Sequence, residues 1–171
     1  MKKKLIYLLI FFIAIVIQTS ILPVILGSNF NGDIVLMLVL VLSVIDGFFA
    51  FLGWSIILGI LYDLASYSVI GEHALIFSLV VYFVSFFSRR LSLEVKGIGW
   101  VLLFMFVIIA TLLSKSIIAL ITVWNFQDLH LYWKIFGSLK HIAFQIMSNS
   151  ILFLFLFFLI KKIKEFFKLE K

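Results

Sequence analysis

The chain has 171 residues, of which 65% are hydrophobic, 18% aromatic and only 13% charged, far from the roughly 25% charged mix of water-soluble domains. The formal charge of +6 sits in short basic clusters at the ends of apolar runs, a topology signal that argues against nucleic-acid binding. The absence of cysteine excludes disulfides, thiolate metal sites and cysteine nucleophiles.

The fold class that follows is an all-α polytopic membrane bundle. The apolar runs lack the period-two alternation of a membrane barrel, and ~20 residues per crossing allows about six transmembrane helices and leaves no room for a soluble catalytic domain. Lys2, Lys3 and Lys4 open a first helix over about 5–26, with Gln18 deep inside and Pro23 near its far end. No small-x-small cleavage site interrupts it, so it reads as an uncleaved span. A turn of Gly, Asn and Ser over 27–32 closes at Asp33.

The second helix, about 34–46, is short for a full crossing at about 1.5 Å per residue. Asp46 and Gly47 interrupt the apolar run before a third helix over about 48–65. Charge parity favours two short helices here over one long one. The N-terminus, the Arg89, Arg90 and Lys96 loop, and the tail hold eleven of the 14 basic residues, and they share one side only if two crossings lie in this region. Further helices are expected over about 73–88, 98–123 and 135–160, with Trp100 and Trp124 at interfaces, Asp128 and His130 in an outer loop, and a basic tail over 161–171. That tail could lie along the membrane surface through Ile163, Phe166, Phe167 and Leu169. No repeat or linker divides the chain, so it forms a single integral domain with both termini cytoplasmic.

Asp46 to Ala74 is the organising stretch, an apolar, glycine-punctuated segment with carboxylates near its ends. An Asp facing hydrocarbon costs roughly 2.5–3.5 kcal/mol on insertion scales, so Asp63 is expected to face protein or water. By three- and four-residue spacing Ser55, Gly59, Tyr62, Asp63 and Ser66 share a small, polar face, read as a helix-packing or partner-binding seam. Asp63 and Lys115 reach similar depth, which leaves two readings open: an ion pair or shared wet pocket, or Asp63 capping into the outer loop while Lys115 snorkels. On the last helix Ser138, His141, Gln145, Ser148 and Asn149 form a polar stripe suited to interhelical hydrogen bonds or a partner groove, and Gln18 reads as a buried hydrogen-bonding residue. Glu72 and His73 stand at a helix start, where a carboxylate offsets the macrodipole. The three histidines have no metal-ligand spacing, and no G-x-S-x-G, P-loop or H-E-x-x-H occurs. No catalytic residue, metal or cofactor is therefore assigned.

The sequence resembles the MreD family of bacterial rod shape-determining proteins. The resemblance rests on Gln18-Thr19-Ser20-Ile21-Leu22-Pro23, on Asp33, and on Gly47, Gly53, Gly59, Leu61 and Asp63 followed by Gly71, His73 and Ala74. It covers essentially the whole chain. Gly32 stands where the family usually has Pro, and the glycine ladder is sparser than usual. The resemblance implies a non-enzymatic scaffold of the elongation machinery in the bacterial inner membrane. Its partners would be the bitopic MreC and, directly or indirectly, MreB filaments and the peptidoglycan-synthesising RodA with its transpeptidase. By analogy Gly53, Gly59 and Asp63 become candidates for partner binding. The family is similar in fold to the substrate-binding S components of energy-coupling-factor vitamin transporters, so a transporter subunit is the alternative, with Asp63, Lys115 and His141 lining a pocket.

Overall fold

The structure is a computed structural model, and it describes residues 2–26, 32–46, 48–90, 98–126 and 129–167. The helices are α1 (Lys2–Val16), α2 (Leu22–Leu26), α3 (Ile34–Asp46), α4 (Phe48–Ser66), α5 (Glu72–Arg90), α6 (Ile98–Phe126), α7 (Leu129–Phe136) and α8 (Leu139–Phe166), with a π-helical turn over Ile17–Ile21 between α1 and α2. Among the described residues there is no strand. Leu5–Ile25, Gly99–Asn125 and Leu139–Phe166 are long and apolar enough to cross a bilayer, and the shorter apolar helices Ile34–Asp46, Phe51–Ser66 and Glu72–Phe87 complete a six-helix membrane bundle. The expectation of an all-α polytopic bundle is met.

The sequence of α3, IVLMLVLVLSVID, offers no polar face, and a helix that is apolar all round must be enclosed. Val35 to Ser43 are accordingly all buried, and α1, α4, α5, α6 and α8 pack around them. With 13 residues, α3 is ~20 Å long, less than the ~30 Å hydrocarbon core. Both of its ends need hydrogen-bonding partners from protein, because lipid tails supply none.

The π turn that precedes α3 in sequence has a local cause. Pro23 has no N–H to give the carbonyl four residues back, and its ring crowds that carbonyl, so the helix widens over Ile17–Ile21. The Leu22 N–H bonds instead to Ile17 O. The widened turn lies beside the start of α3, where Gln18 is used.

At the end of the bundle near the chain termini, Lys164 of α8 donates to Asp46 Oδ1 at 3.0 Å, and the two side chains are only 9% and 5% exposed. The Tyr7 hydroxyl of α1 lies beside the same carboxylate. Here the sequence reading needs correction. The segment from Lys161 does not leave the helix but continues α8 to Phe166, with Lys161 and Lys162 exposed and Lys164 pointing inward on the stripe of Phe153, Phe157 and Ile160. The reason is the buried Asp46, which needs a counter-charge. Ile163 packs on the core, while Phe166 and Phe167 are exposed, and residues beyond 167 lie outside the described set, as do Gly47, Lys96 and Asp128.

A second correction concerns the outer loop before the last helix. Residues 129–136 form α7, which packs on α6. Gly137, at φ 72, ends α7 in a backbone conformation that favours glycine. Ser138 then caps α8 by accepting from the His141 N–H. The Gly-Ser pair carried this stop-and-start signal in the sequence, so α8 begins at Leu139 rather than near 135.

The Asp46 and Lys164 ion pair makes a testable prediction. Lys164→Met leaves Asp46 buried without its counter-charge and is expected to lower unfolding stability in detergent by about 3 kcal/mol, whereas the double change Asp46→Asn with Lys164→Met recovers most of it. Equal losses in the single and double variants in thermal unfolding would argue against the pairing.

Candidate functional site

The site grows from the α4–α5 hairpin, the most closely packed pair of helices in the bundle. Ser55, Gly59, Tyr62 and Asp63 lie on the buried side of α4, with Ser55 and Asp63 at 0% exposure. Gly59 sets the approach: a Cβ there would collide with the backbone of His73 and Ala74 in α5. Only glycine permits this contact. Gly53 behaves differently, since a Cβ there meets nothing within 4 Å and the residue is exposed. It therefore stands off the seam that Gly59 forms. Ser55 and Ser66 satisfy their hydroxyls on carbonyls of their own helix, Leu52 O at 2.7 Å and Tyr62 O at 2.8 Å.

Asp63 closes the hairpin. Its carboxylate accepts from the Ser68 hydroxyl at 3.0 Å, the Gly71 N–H at 2.7 Å and the His73 N–H at 3.0 Å, and His73 Nδ1 lies 2.7 Å from Oδ1. The turn between the helices and the first N–H groups of α5 are thus bound to one buried acid from α4. The Tyr62 ring meets His73 edge-on at 4.6 Å and stacks on Phe77 at 6.1 Å, which fixes the imidazole from its other side. Of the two readings open for Asp63, the structure has the capping one. Lys115 instead donates to Phe136 O at 3.4 Å, at the α7–α8 elbow.

The Asp63, His73 and Ser68 set contains the residue types of a hydrolase triad without its geometry. Ser68 Oγ is 3.4 Å from His73 Nδ1, the same nitrogen that faces Asp63. A relay needs serine and acid on opposite ring nitrogens. The arrangement ties a turn and has no means of activating the hydroxyl through the ring.

A second polar network holds the N-terminal end of α3. The Asp33 N–H donates to Asn149 Oδ1 of α8 at 2.8 Å, and the Ile34 N–H donates to Gln18 Oε1 at 3.0 Å. Gln18 Nε2 in turn donates to Gly32 O at 3.1 Å. The Asp33 carboxylate accepts from the N–H groups of Val35 and Leu36, and the helical ladder starts with Met37 N–H to Asp33 O. Every free donor of the first turn is satisfied, as a buried helix end requires. Asn149 Nδ2 reaches Thr111 of α6 at 2.9 Å. The helix that this network anchors, α3, packs on both α4 and α5.

The predicted site residues thus separate into groups. Gln18 and Asn149 meet at the start of α3, and Gly59, Tyr62 and Asp63 meet in the hairpin. Lys115 stands at the α7–α8 elbow, His141 is exposed, and Gln145 is half-buried on α8, so Asp63, Lys115 and His141 do not line a shared pocket. Sequence reasoning missed Ser68 and Thr111, as well as the Asp46 and Lys164 pair. The direct bonding of His73 to Asp63 was legible only as a ten-residue spacing across a glycine-containing turn.

Two substitutions separate the seam from its surroundings. Gly59→Ala is expected to destabilise the bundle by about 1–3 kcal/mol through overpacking against a backbone that cannot move aside. Gly53→Ala, in open space within a helix, is expected to be neutral or to stabilise by up to about 1 kcal/mol. Thermal unfolding of the two purified variants checks this, and equal effects would refute the assignment of Gly59 to the contact. Asp63→Asn places an amide donor toward the Gly71 and His73 N–H groups and is expected to cost about 2 kcal/mol or more.

A family model described as rod shape-determining protein MreD matches residues 2–163 of the 171-residue chain. No curated protein and no solved structure matches it significantly. The matched span runs from the start of α1 into α8, stopping three residues short of its end, and contains the Asp63 hairpin and the network at the start of α3. The chain is a membrane protein that belongs to the MreD family of rod shape-determining proteins.

Proposed function

We propose that the chain is a non-enzymatic scaffold of the elongation machinery in the bacterial inner membrane, with both termini cytoplasmic. It binds MreC, and through it or directly it couples MreB filaments to peptidoglycan synthesis by RodA and its transpeptidase. The observation that carries this reading is the use made of the buried acid. All the donors around Asp63 come from one hairpin, Ser68, Gly71 and His73, so its polar chemistry is spent on fixing geometry. Such a hairpin holds the outer turn at a set position for a partner, which is what a scaffold has to do.

Orientation follows from the basic clusters. Lys2, Lys3, Lys4, Arg89, Arg90, Lys161 and Lys162 flank the helix ends on the side of the termini, the arrangement the positive-inside rule assigns to the cytoplasm.

The test is controlled depletion in a rod-shaped host, with cell width followed by microscopy and a vitamin-supplemented arm run in parallel. Rounding that vitamins do not reverse is expected, together with co-purification of MreC by the intact chain. Complementation by Gly53→Ala but not by Gly59→Ala would tie shape control to the closed hairpin. Growth restored by a vitamin at normal cell shape would overturn the proposal in favour of a transporter subunit.

A further inference from the structure

Of the 14 basic residues, eleven lie in the N-terminal, Arg89 to Lys96 and C-terminal clusters, and the other three are Lys115, Lys134 and Lys140. These three belong to one place, the elbow where α7 turns into α8. Lys134 stands in the last turn of α7 and Lys140 in the first turn of α8, and between them the Phe136 carbonyl accepts from Lys115 Nζ at 3.4 Å. The elbow lies at the end of α8 opposite Lys164, and so at the end of the bundle away from the termini.

The charge gathered there has no counterpart within the described residues. Asp46 pairs with Lys164, Asp63 ties the α4–α5 turn, Asp33 caps α3, Glu72 opens α5, and Glu165 is in the last turn of α8. None of the three lysines has an acidic partner among the described residues. Lys134 and Lys140 are exposed and Lys115 is half-buried. An ammonium has three N–H groups to place, and one long bond to a carbonyl leaves Lys115 with donors to spare.

Depth and surroundings say which anion suits the elbow. From Gly99, where the spanning segment of α6 begins, Lys115 is ~24 Å along the helix, near the far edge of a ~30 Å hydrocarbon core. At that level the phosphates of the bilayer are the anions at hand. The α7 sequence LHLYWKIF is mostly apolar and aromatic with a basic last turn, the composition of helices that lie at a bilayer surface, and its Tyr132 and Phe136 rings stack at 5.5 Å. We propose that the α7–α8 elbow binds the phosphate of an anionic phospholipid in the leaflet away from the termini, with Lys115 donating from the hydrocarbon side and Lys134 and Lys140 adding charge at headgroup level.

The test is thermal unfolding of the purified full chain in neutral detergent, titrated with phosphatidylglycerol, phosphatidylcholine or inorganic phosphate. Phosphatidylglycerol is expected to raise the unfolding temperature of the parent, while the other two at equal concentration leave it unchanged. The triple variant Lys115→Gln, Lys134→Gln and Lys140→Gln is expected to need at least about tenfold more phosphatidylglycerol for the same shift. Lys134→Gln with Lys140→Gln alters exposed side chains only, leaves the Lys115 contact in place, and is expected to need at least about threefold more. Lys115→Arg, which keeps the charge, and the control Lys161→Gln with Lys162→Gln at the other end of α8 are expected to stay within about twofold of the parent. A parent-like response in the double elbow variant, or a loss as large in the Lys161 and Lys162 control, would overturn the site. An equal response to phosphatidylcholine would overturn the selectivity for an anionic headgroup, and a shift produced by inorganic phosphate alone would overturn the lipid as its source.

Discussion

A helix too short to cross the bilayer has ends that hydrocarbon cannot solvate, and the rest of this bundle is arranged around that constraint. Lipid tails offer no partner to a backbone N–H or C=O, and α3, with 13 residues, is shorter than the ~30 Å hydrocarbon core. The surrounding helices supply what the solvent does not. Gln18 and Asn149 take N–H groups at its N-terminal end, and Lys164 neutralises the carboxylate at its C-terminal end. Because the middle of α3 is almost uniformly apolar, it offers few directional bonds to its neighbours. The two polar ends fix its register.

The same economy explains why the α4–α5 hairpin is the most closely built part of the molecule. Between helices in a membrane, burial of apolar surface gives little net drive, because lipid is as apolar as leucine. Rigidity has to come from close packing and hydrogen bonds. Gly59 supplies the first by letting the α5 backbone approach. Asp63 supplies the second, and its location at 0% exposure removes water as a competitor. Since α3 packs on both α4 and α5, the hairpin is referenced to the central helix.

Much of this architecture was legible in the sequence, because composition and periodicity report directly on solvent. The apolar runs announced the membrane helices, and the spacing of Ser55, Gly59, Tyr62 and Asp63 announced a shared face. Periodicity says which residues lie together on a helix, but not what stands opposite. Depth alone made Asp63 and Lys115 candidate partners, while the actual partners came from a turn only a few residues downstream. Lys164 was misread for a related reason. A lysine after a run of lysines looks like surface, and only the buried position of Asp46 explains why this one turns inward. The Gly137-Ser138 break was readable in principle, yet the apolar residues on both sides concealed it.

Gly53 and Gly59 show where physical reading separates residues that a shared motif groups together. Both are glycines on α4, one turn and a half apart, and both belong to the pattern that resembles the family. One is a steric requirement, because the backbone of His73 and Ala74 occupies the space a side chain would need. The other faces open space and loses nothing inside the chain by becoming alanine. If Gly53 matters, it matters through a neighbour that is not part of this chain, since a bare glycine on an exposed face lets another helix approach closely. Within the fold, the requirement for glycine belongs to Gly59.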